Sequence, residues 1–139
     1  GIVQAGVPVV GHLGLTPQSI HKFGGYGLRA GEEAEARNLM ADAKALDAAG
    51  TFCIVLEKVP AKLAAEVTKT VKAATIGIGA GNATDGQVLV SADALGMTRG
   101  FKPKFLRRFA DVAQCMTEGV EAYIRCVRES SFPAEEESY

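Results

Sequence analysis

Cys53-Ile54-Val55-Leu56-Glu57-Lys58-Val59-Pro60 reads CIVLEKVP: four apolar residues run straight into a carboxylate, and a proline closes the segment three residues later. With Phe52 ahead of it, the run shows no polar alternation. That is how a strand of a parallel sheet reads when both of its faces are covered. Three further runs share the character: Val7-Pro8-Val9-Val10-Gly11, Thr75-Ile76-Gly77-Ile78-Gly79 and Gln87-Val88-Leu89-Val90.

Helical patterns separate them. Residues 33–49 are rich in Ala, Leu and Glu, with Leu39, Ala43 and Leu46 on one stripe and Gly50 as the stop. Residues 60–73 open on Pro60 and turn Leu63, Ala64, Val67 and Val71 to one face. Residues 102–129 carry Phe105, Phe109, Val112, Met116, Val120, Tyr123 and Val127 at spacings of three and four, which predicts a long helix. The order is β-loop-α-β-α-β-β-α, the alternation of parallel β/α units. Four strands are too few for a closed β/α barrel, which takes about 250 residues. The expectation is either a small open sheet or half of a barrel, with edge strands unpaired and barrel-lining side chains uncovered.

The chain has 139 residues and is 47% hydrophobic and 22% charged, enough to bury a core. Its net charge of −1 gives no basic surplus for nucleic acid. No apolar run approaches 18 residues, so no membrane span or signal peptide is expected. Cys53, Cys115 and Cys126 have no metal-binding spacing and suggest reduced thiols in an intracellular compartment. The chain opens on Gly1 without an initiator methionine, which suggests processing or a piece of a longer protein. Residues 1–129 read as one β/α unit and 130–139, with Glu135-Glu136-Glu137, as an acidic tail.

Chemistry in parallel β/α proteins collects where strands end. Alternation along a strand puts Leu56 and Lys58 on one side and Val55, Glu57 and Val59 on the other. With Lys58 near the outer helices or the rim, Glu57 tips toward the barrel mouth. A carboxylate partly withdrawn from water there is a stronger base near neutral pH. The alternative is a solvated charge beside the N-terminus of the helix opening near Pro60. His12, between Gly11 and Gly14, is either a proton-transfer or hydrogen-bonding partner or a packed histidine bonded to a neighbouring loop. His21 lies in a polar segment and is given no role. The glycine-rich GIGAGNATDG of residues 77–86 lacks the helix start and acidic partner of a dinucleotide fingerprint. It suits either backbone wrapping of a ligand or close packing, with Asp85 capping a turn. The long connection from Gly14 through Gly24-Gly25-Tyr26-Gly27 is either a lid or a plain loop.

Taken together, GHLGLTPQSIHKFGGY (11–26), IVLEKVP (54–60), TIGIGAGNATDGQVLV (75–90), ALGMTRGFKPKF (94–105) and the ending Phe132-Pro133-Ala134-Glu135-Glu136 resemble, in order and spacing, the C-terminal half of the ketopantoate hydroxymethyltransferase family. The resemblance covers essentially the whole chain. It implies an α/β fold, a (β/α)8 TIM barrel of the phosphoenolpyruvate-mutase and isocitrate-lyase group, with this chain supplying about strands five to eight. It implies transfer of a hydroxymethyl group from 5,10-methylenetetrahydrofolate to α-ketoisovalerate, giving ketopantoate for pantothenate and coenzyme A synthesis. A Mg²⁺ ion holding the keto acid and a homo-oligomer are implied as well. The compartment is cytoplasmic if the protein is bacterial and mitochondrial if it is eukaryotic.

By position, Glu57 matches the family's catalytic base and His12 a substrate-binding histidine of the same site. The metal-binding acids and a substrate-binding lysine of the family belong to its N-terminal half, outside this chain, and the resemblance does not say which residues here meet the folate. Two departures stand out. Arg29-Ala30-Gly31 replaces a family pattern like QGR, displacing the basic residue, and Ala92-Asp93 replaces a frequent His-Asp. The resemblance leaves two other possibilities: a catalytically incomplete piece acting as an assembly module, and a related superfamily enzyme acting on another α-keto acid.

Overall fold

Apolar runs without alternation pair side by side only where helices can cover them, and the chain supplies those helices in between. A computed structural model describes residues 1–100 and 102–139. Phe101, within the 94–105 block, lies outside the described residues. The chain divides into two units, Gly1–Val88 and Leu89–Tyr139.

The first unit is a parallel sheet in the order β1-β2-β3-β4. Its strands are β1 (Val10–Gly14), β2 (Cys53–Glu57), β3 (Ala74–Ile78) and the short β4 (Gly86–Gln87). A 3-10 turn at Pro17–Ser19, a one-turn helix α1 (Ile20–Phe23) and helix α2 (Glu33–Ala48) join β1 to β2. Helix α3 (Ala61–Thr70) joins β2 to β3. Helix α2 ends where Gly50 turns at φ +89°. In α3, Pro60 is the residue before the helix rather than its first turn.

The two faces of the sheet are unequal. Ile54, Leu56 and Thr75 share the helix-covered face and are fully buried. Ile54 and Leu56 pack with Leu39 and Ala43 of α2 and with Leu63, Ala64 and Val67 of α3. His12, Val55 and Ile76, in register across three strands, share the other face and are only half-buried. Val10, at the start of that face, is 49% exposed. Leaving such a row partly in water forgoes burial worth roughly 25 cal/mol per Å² of apolar surface.

Parallel strands ordinarily need a crossover of a dozen or more residues. Here β3 reaches β4 through residues 79–85 alone. The chain makes this reversal with Gly79 and Gly81 in the left-handed region, at φ +64° and +79°. Side chains then pin the turn: Gln87 Nε2 donates to the Gly81 carbonyl at 2.9 Å and to Thr84 Oγ1 at 2.8 Å. The glycine-rich stretch is thus an unusually short crossover.

Three expectations about elements need correction. The first run is displaced: β1 begins at Val10, so His12 lies within a strand and not in the loop after it. The fourth run supplies only Gly86–Gln87, not Gln87–Val90. The long helix predicted over 102–129 is confined to α5 (Val112–Arg128) in the second unit. Pro103 interrupts the earlier stretch, and Asp111 starts the helix by accepting the Gln114 N–H on Oδ1 at 3.0 Å. The second unit also holds the one-turn helix α4 (Ser91–Ala94). The apolar stripe of α5 is real in spacing, but Met116, Val120, Tyr123 and Val127 are exposed. Cys53, Cys115 and Cys126 are all free thiols.

Candidate active site

Strand register decides which polar groups meet. Gly14 pairs with Glu57 and His12 with Val55, so His12 and Glu57 stand one step apart on the same face of neighbouring strands. Their side chains bridge that step: His12 Nε2–H donates to Glu57 Oε2 at 3.0 Å. The histidine side chain is 31% exposed and the carboxylate 21%. Both residues predicted for the site are brought together.

Gly14 makes the close approach possible. It sits at φ +91°, and a Cβ there would lie 2.1 Å from the Glu57 carbonyl oxygen and 2.7 Å from Val59 Cγ1. The absence of a side chain lets the Leu15 N–H reach the Glu57 carbonyl at 2.9 Å, extending the β1–β2 ladder past the candidate base. Lys58 follows Glu57 and leaves the strand at φ +52°. As the alternation suggested, it reaches the rim: its ammonium donates to the Tyr26 carbonyl in the β1–α2 connection. That connection is divided by Pro17–Ser19 and Ile20–Phe23, after which residues 24–32 run to α2 without a helix or strand.

A cleft of about 300 Å³ opens beside the pair, lined among others by His12, Thr16, Phe23, Arg29, Glu35 and Asn38. His21, given no role, is exposed on α1.

Asp85 does not cap a local turn as expected. Its Oδ2 accepts from the Thr75 N–H at 2.7 Å and from Thr75 Oγ1–H at 2.9 Å. The two Thr75 bonds, backbone first, stabilise the carboxylate and hold its pKa below the ordinary aspartate value. Thr75 Oγ1 also lies 2.8 Å from Thr68 Oγ1 on α3. Asp85 therefore anchors the short crossover to the start of β3. Its place is structural.

Among the described residues, no three His, Cys, Asp or Glu side chains gather where they could hold a metal ion. The described residues do not by themselves fit a Mg²⁺ site built on three such side chains. Sequence reading also missed the part played by Arg29 and Lys58. The Arg29 N–H bond to the Lys58 carbonyl and the Lys58 ammonium bond to the Tyr26 carbonyl join residues about thirty positions apart and leave no periodic trace.

A proton acceptor and a hydrogen-bonding imidazole at the C-terminal rim of a parallel sheet can abstract a proton from a bound carbon acid. A family model described as ketopantoate hydroxymethyltransferase matches residues 1–135. The chain belongs to that family. It is 57% identical over 138 residues, 99% of its length, to the 3-methyl-2-oxobutanoate hydroxymethyltransferase of Salinibacter ruber, of which the match covers 52%. It is 54% identical over 138 residues to the protein of the same name from Chlorobaculum tepidum, covering 50% of it, and 56% identical to that of Christiangramia forsetii, covering 51%. The chain spans about half the length of the curated relatives it matches. No helix among the described residues is long and apolar enough to cross a membrane.

Proposed function

We propose that the full-length protein carrying this chain transfers a hydroxymethyl group from 5,10-methylenetetrahydrofolate to α-ketoisovalerate, giving ketopantoate. The observation that carries this reading is the His12–Glu57 pair, set 3.0 Å apart at a strand-end rim in a member of this family. Glu57 is the base. It takes the proton from C3 of the keto acid, and the electrons of the broken C–H bond pass to the ketone oxygen as an enolate. Water cleaves both N–CH2 bonds of the folate, releasing tetrahydrofolate and presenting the one-carbon unit as formaldehyde; C3 of the enolate bonds that carbon, its C=O π electrons pass to its oxygen, and the alkoxide takes back the proton held by Glu57.

His12 holds Glu57 Oε2 and so leaves the other carboxylate oxygen to receive the proton. It is also proposed as a substrate-binding residue, because its ring lines the cleft beside the pair. Mg²⁺ is proposed for the complete protein on family likeness, with ligands outside this chain.

The same reading makes residues 1–129 the C-terminal half of a (β/α)8 barrel, about strands five to eight, and residues 130–139 an acidic tail. The half-exposed row of His12, Val55 and Ile76 supports it, because a barrel interior is filled by side chains from every strand. A homo-oligomer is proposed as well. So is an intracellular location, cytoplasmic in a bacterium and mitochondrial in a eukaryote.

The test is product formation by the full-length protein with 5,10-methylenetetrahydrofolate and a panel of branched α-keto acids, read by mass spectrometry. Ketopantoate from α-ketoisovalerate is expected. Turnover of another keto acid in its place would reassign the substrate, and no turnover of any would refute the enzyme.

A further inference from the structure

Two residues in an unfavoured backbone conformation flank a single hydrogen bond beside the candidate site. The Arg29 N–H donates to the Lys58 carbonyl at 2.9 Å. Ala30, next to the donor, and Lys58, the acceptor itself, both stand at φ +52°. Among the described residues the only other non-glycine at positive φ is Ser130. Left-handed backbone at a residue with a Cβ persists only where its surroundings impose it, and such residues gather at functional sites.

The surroundings are specific. The Arg29 guanidinium carbon lies 3.9 Å from the centroid of the Phe23 ring, and Nη2 donates to Glu35 at the start of α2. Its Nε–H is buried without a partner. A packed arginine with an orphan donor is a poor choice for stability alone. Lys58 answers in the opposite direction, its ammonium donating to the Tyr26 carbonyl. The Lys58 N–H is also held, by the Ile78 carbonyl at 2.9 Å. The segment from Phe23 to Ala30 is therefore strapped, from both sides, to the residue directly after Glu57.

We propose that Arg29 is a positioning residue, which with Lys58 latches the β1–α2 connection across the strand ends and keeps water from the His12–Glu57 pair while the carbanion reacts. This rests on the function proposed above. Arg29 touches neither reacting atom. Its side chain acts by holding Phe23, which lines the cleft with His12, and Glu35, and so fixes the segment whose backbone N–H meets the Lys58 carbonyl directly after the Glu57 strand. With the latch open, C3 still loses its proton, but solvent returns one before the one-carbon unit arrives.

The full-length enzyme, turning over in D2O, supplies the readout: deuterium incorporated at C3 of α-ketoisovalerate per ketopantoate formed. Arg29→Ala and Lys58→Met are each expected to lower kcat for transfer by about tenfold or more. Each should leave the keto acid KM within about threefold and raise the exchange-to-transfer ratio by about tenfold. Arg29→Lys keeps the charge for Glu35 without the flat stack and should fall between wild type and Arg29→Ala.

A purely structural role would reduce exchange and transfer together and leave their ratio unchanged. That result in both Arg29→Ala and Lys58→Met would overturn the latch. If Arg29→Ala does not fold, Lys58→Met and Arg29→Lys decide by the same ratio. A wild type that neither exchanges C3 nor forms ketopantoate would overturn the assigned function, and the latch's part in it. An active wild type with unchanged ratios in the variants overturns the latch alone.

Discussion

Replacing Gly14 by alanine probes how the strand ends bring His12 to Glu57. Two separate effects are expected. Alanine at φ +91° adopts a backbone conformation costing about 1–2 kcal/mol. Its Cβ would also sit 2.1 Å from the Glu57 carbonyl oxygen, more than an ångström inside van der Waals contact. Backbone on both sides blocks relief by a simple side-chain rotation, so β1 and β2 must part. The Leu15 N–H bond to that carbonyl goes with them, worth about 1 kcal/mol.

The sum is a loss of about 2–4 kcal/mol of stability. A displacement of about an ångström at a reacting group costs on the order of a hundredfold in rate. Gly6 provides the control. It stands at φ +82° with nothing within 4 Å of a Cβ, so Gly6→Ala carries the backbone strain without the clash. The assay is urea denaturation of the full-length protein together with C3 proton exchange of α-ketoisovalerate. Gly6→Ala should lose about 1 kcal/mol and keep its exchange rate. Gly14→Ala should lose at least twice that and most of its exchange. Equal destabilisation by the two, with exchange intact in both, would refute the reasoning.

Three further outcomes are expected. Thr75→Val keeps shape at a fully buried position but removes the hydroxyl shared by Asp85 and Thr68; thermal or chemical denaturation should show a loss of about 1–3 kcal/mol. The Asp85 carboxyl is depressed in the folded state by its Thr75 bonds. Its contribution is therefore complete above the unfolded carboxyl value of about 4 and is lost as pH falls through the lower folded value. The stability gap between wild type and Asp85→Asn should accordingly narrow as denaturation curves are taken from about pH 7 down to about pH 3. The 139-residue chain on its own, whose described residues gather no metal-ligating trio, should form no ketopantoate from α-ketoisovalerate and the folate; detectable product from it would contradict the proposed division of the site.

How much of this was legible beforehand follows from where each signal lies. The interior of β2 read correctly because Ile54 and Leu56 meet helices while Val55 faces the other way, so no polar residue interrupts the run. β1 was misplaced by three residues for the same reason in reverse. His12 sits on the half-exposed face, and a polar residue between glycines resembles a loop. The stripes of α2 and α3 were legible because Leu39, Ala43, Leu63, Ala64 and Val67 bury at helical spacing. Residues 102–111 kept the spacing without the helix, since spacing does not register the break at Pro103 or the cap at Asp111. The GIGAGN turn was read as ligand wrapping or close packing, and its use as a short crossover appears only once β4 is seen beside β3. Arg29 was visible only as a displaced base. Its bond to Lys58 depends on the path of the chain between them, which no local pattern encodes.

The central claim is that Glu57 removes the C3 proton of α-ketoisovalerate. Proton NMR of the keto acid in D2O, with the full-length protein and its Glu57→Gln variant, measures that step directly. Glutamine keeps the size of the side chain and an oxygen for His12, but it is not a base. The account predicts that the C3 signal disappears with wild type and persists with Glu57→Gln, while keto acid binding by titration calorimetry stays within about threefold. Exchange by Glu57→Gln at near the wild-type rate would contradict it and assign the proton to another group.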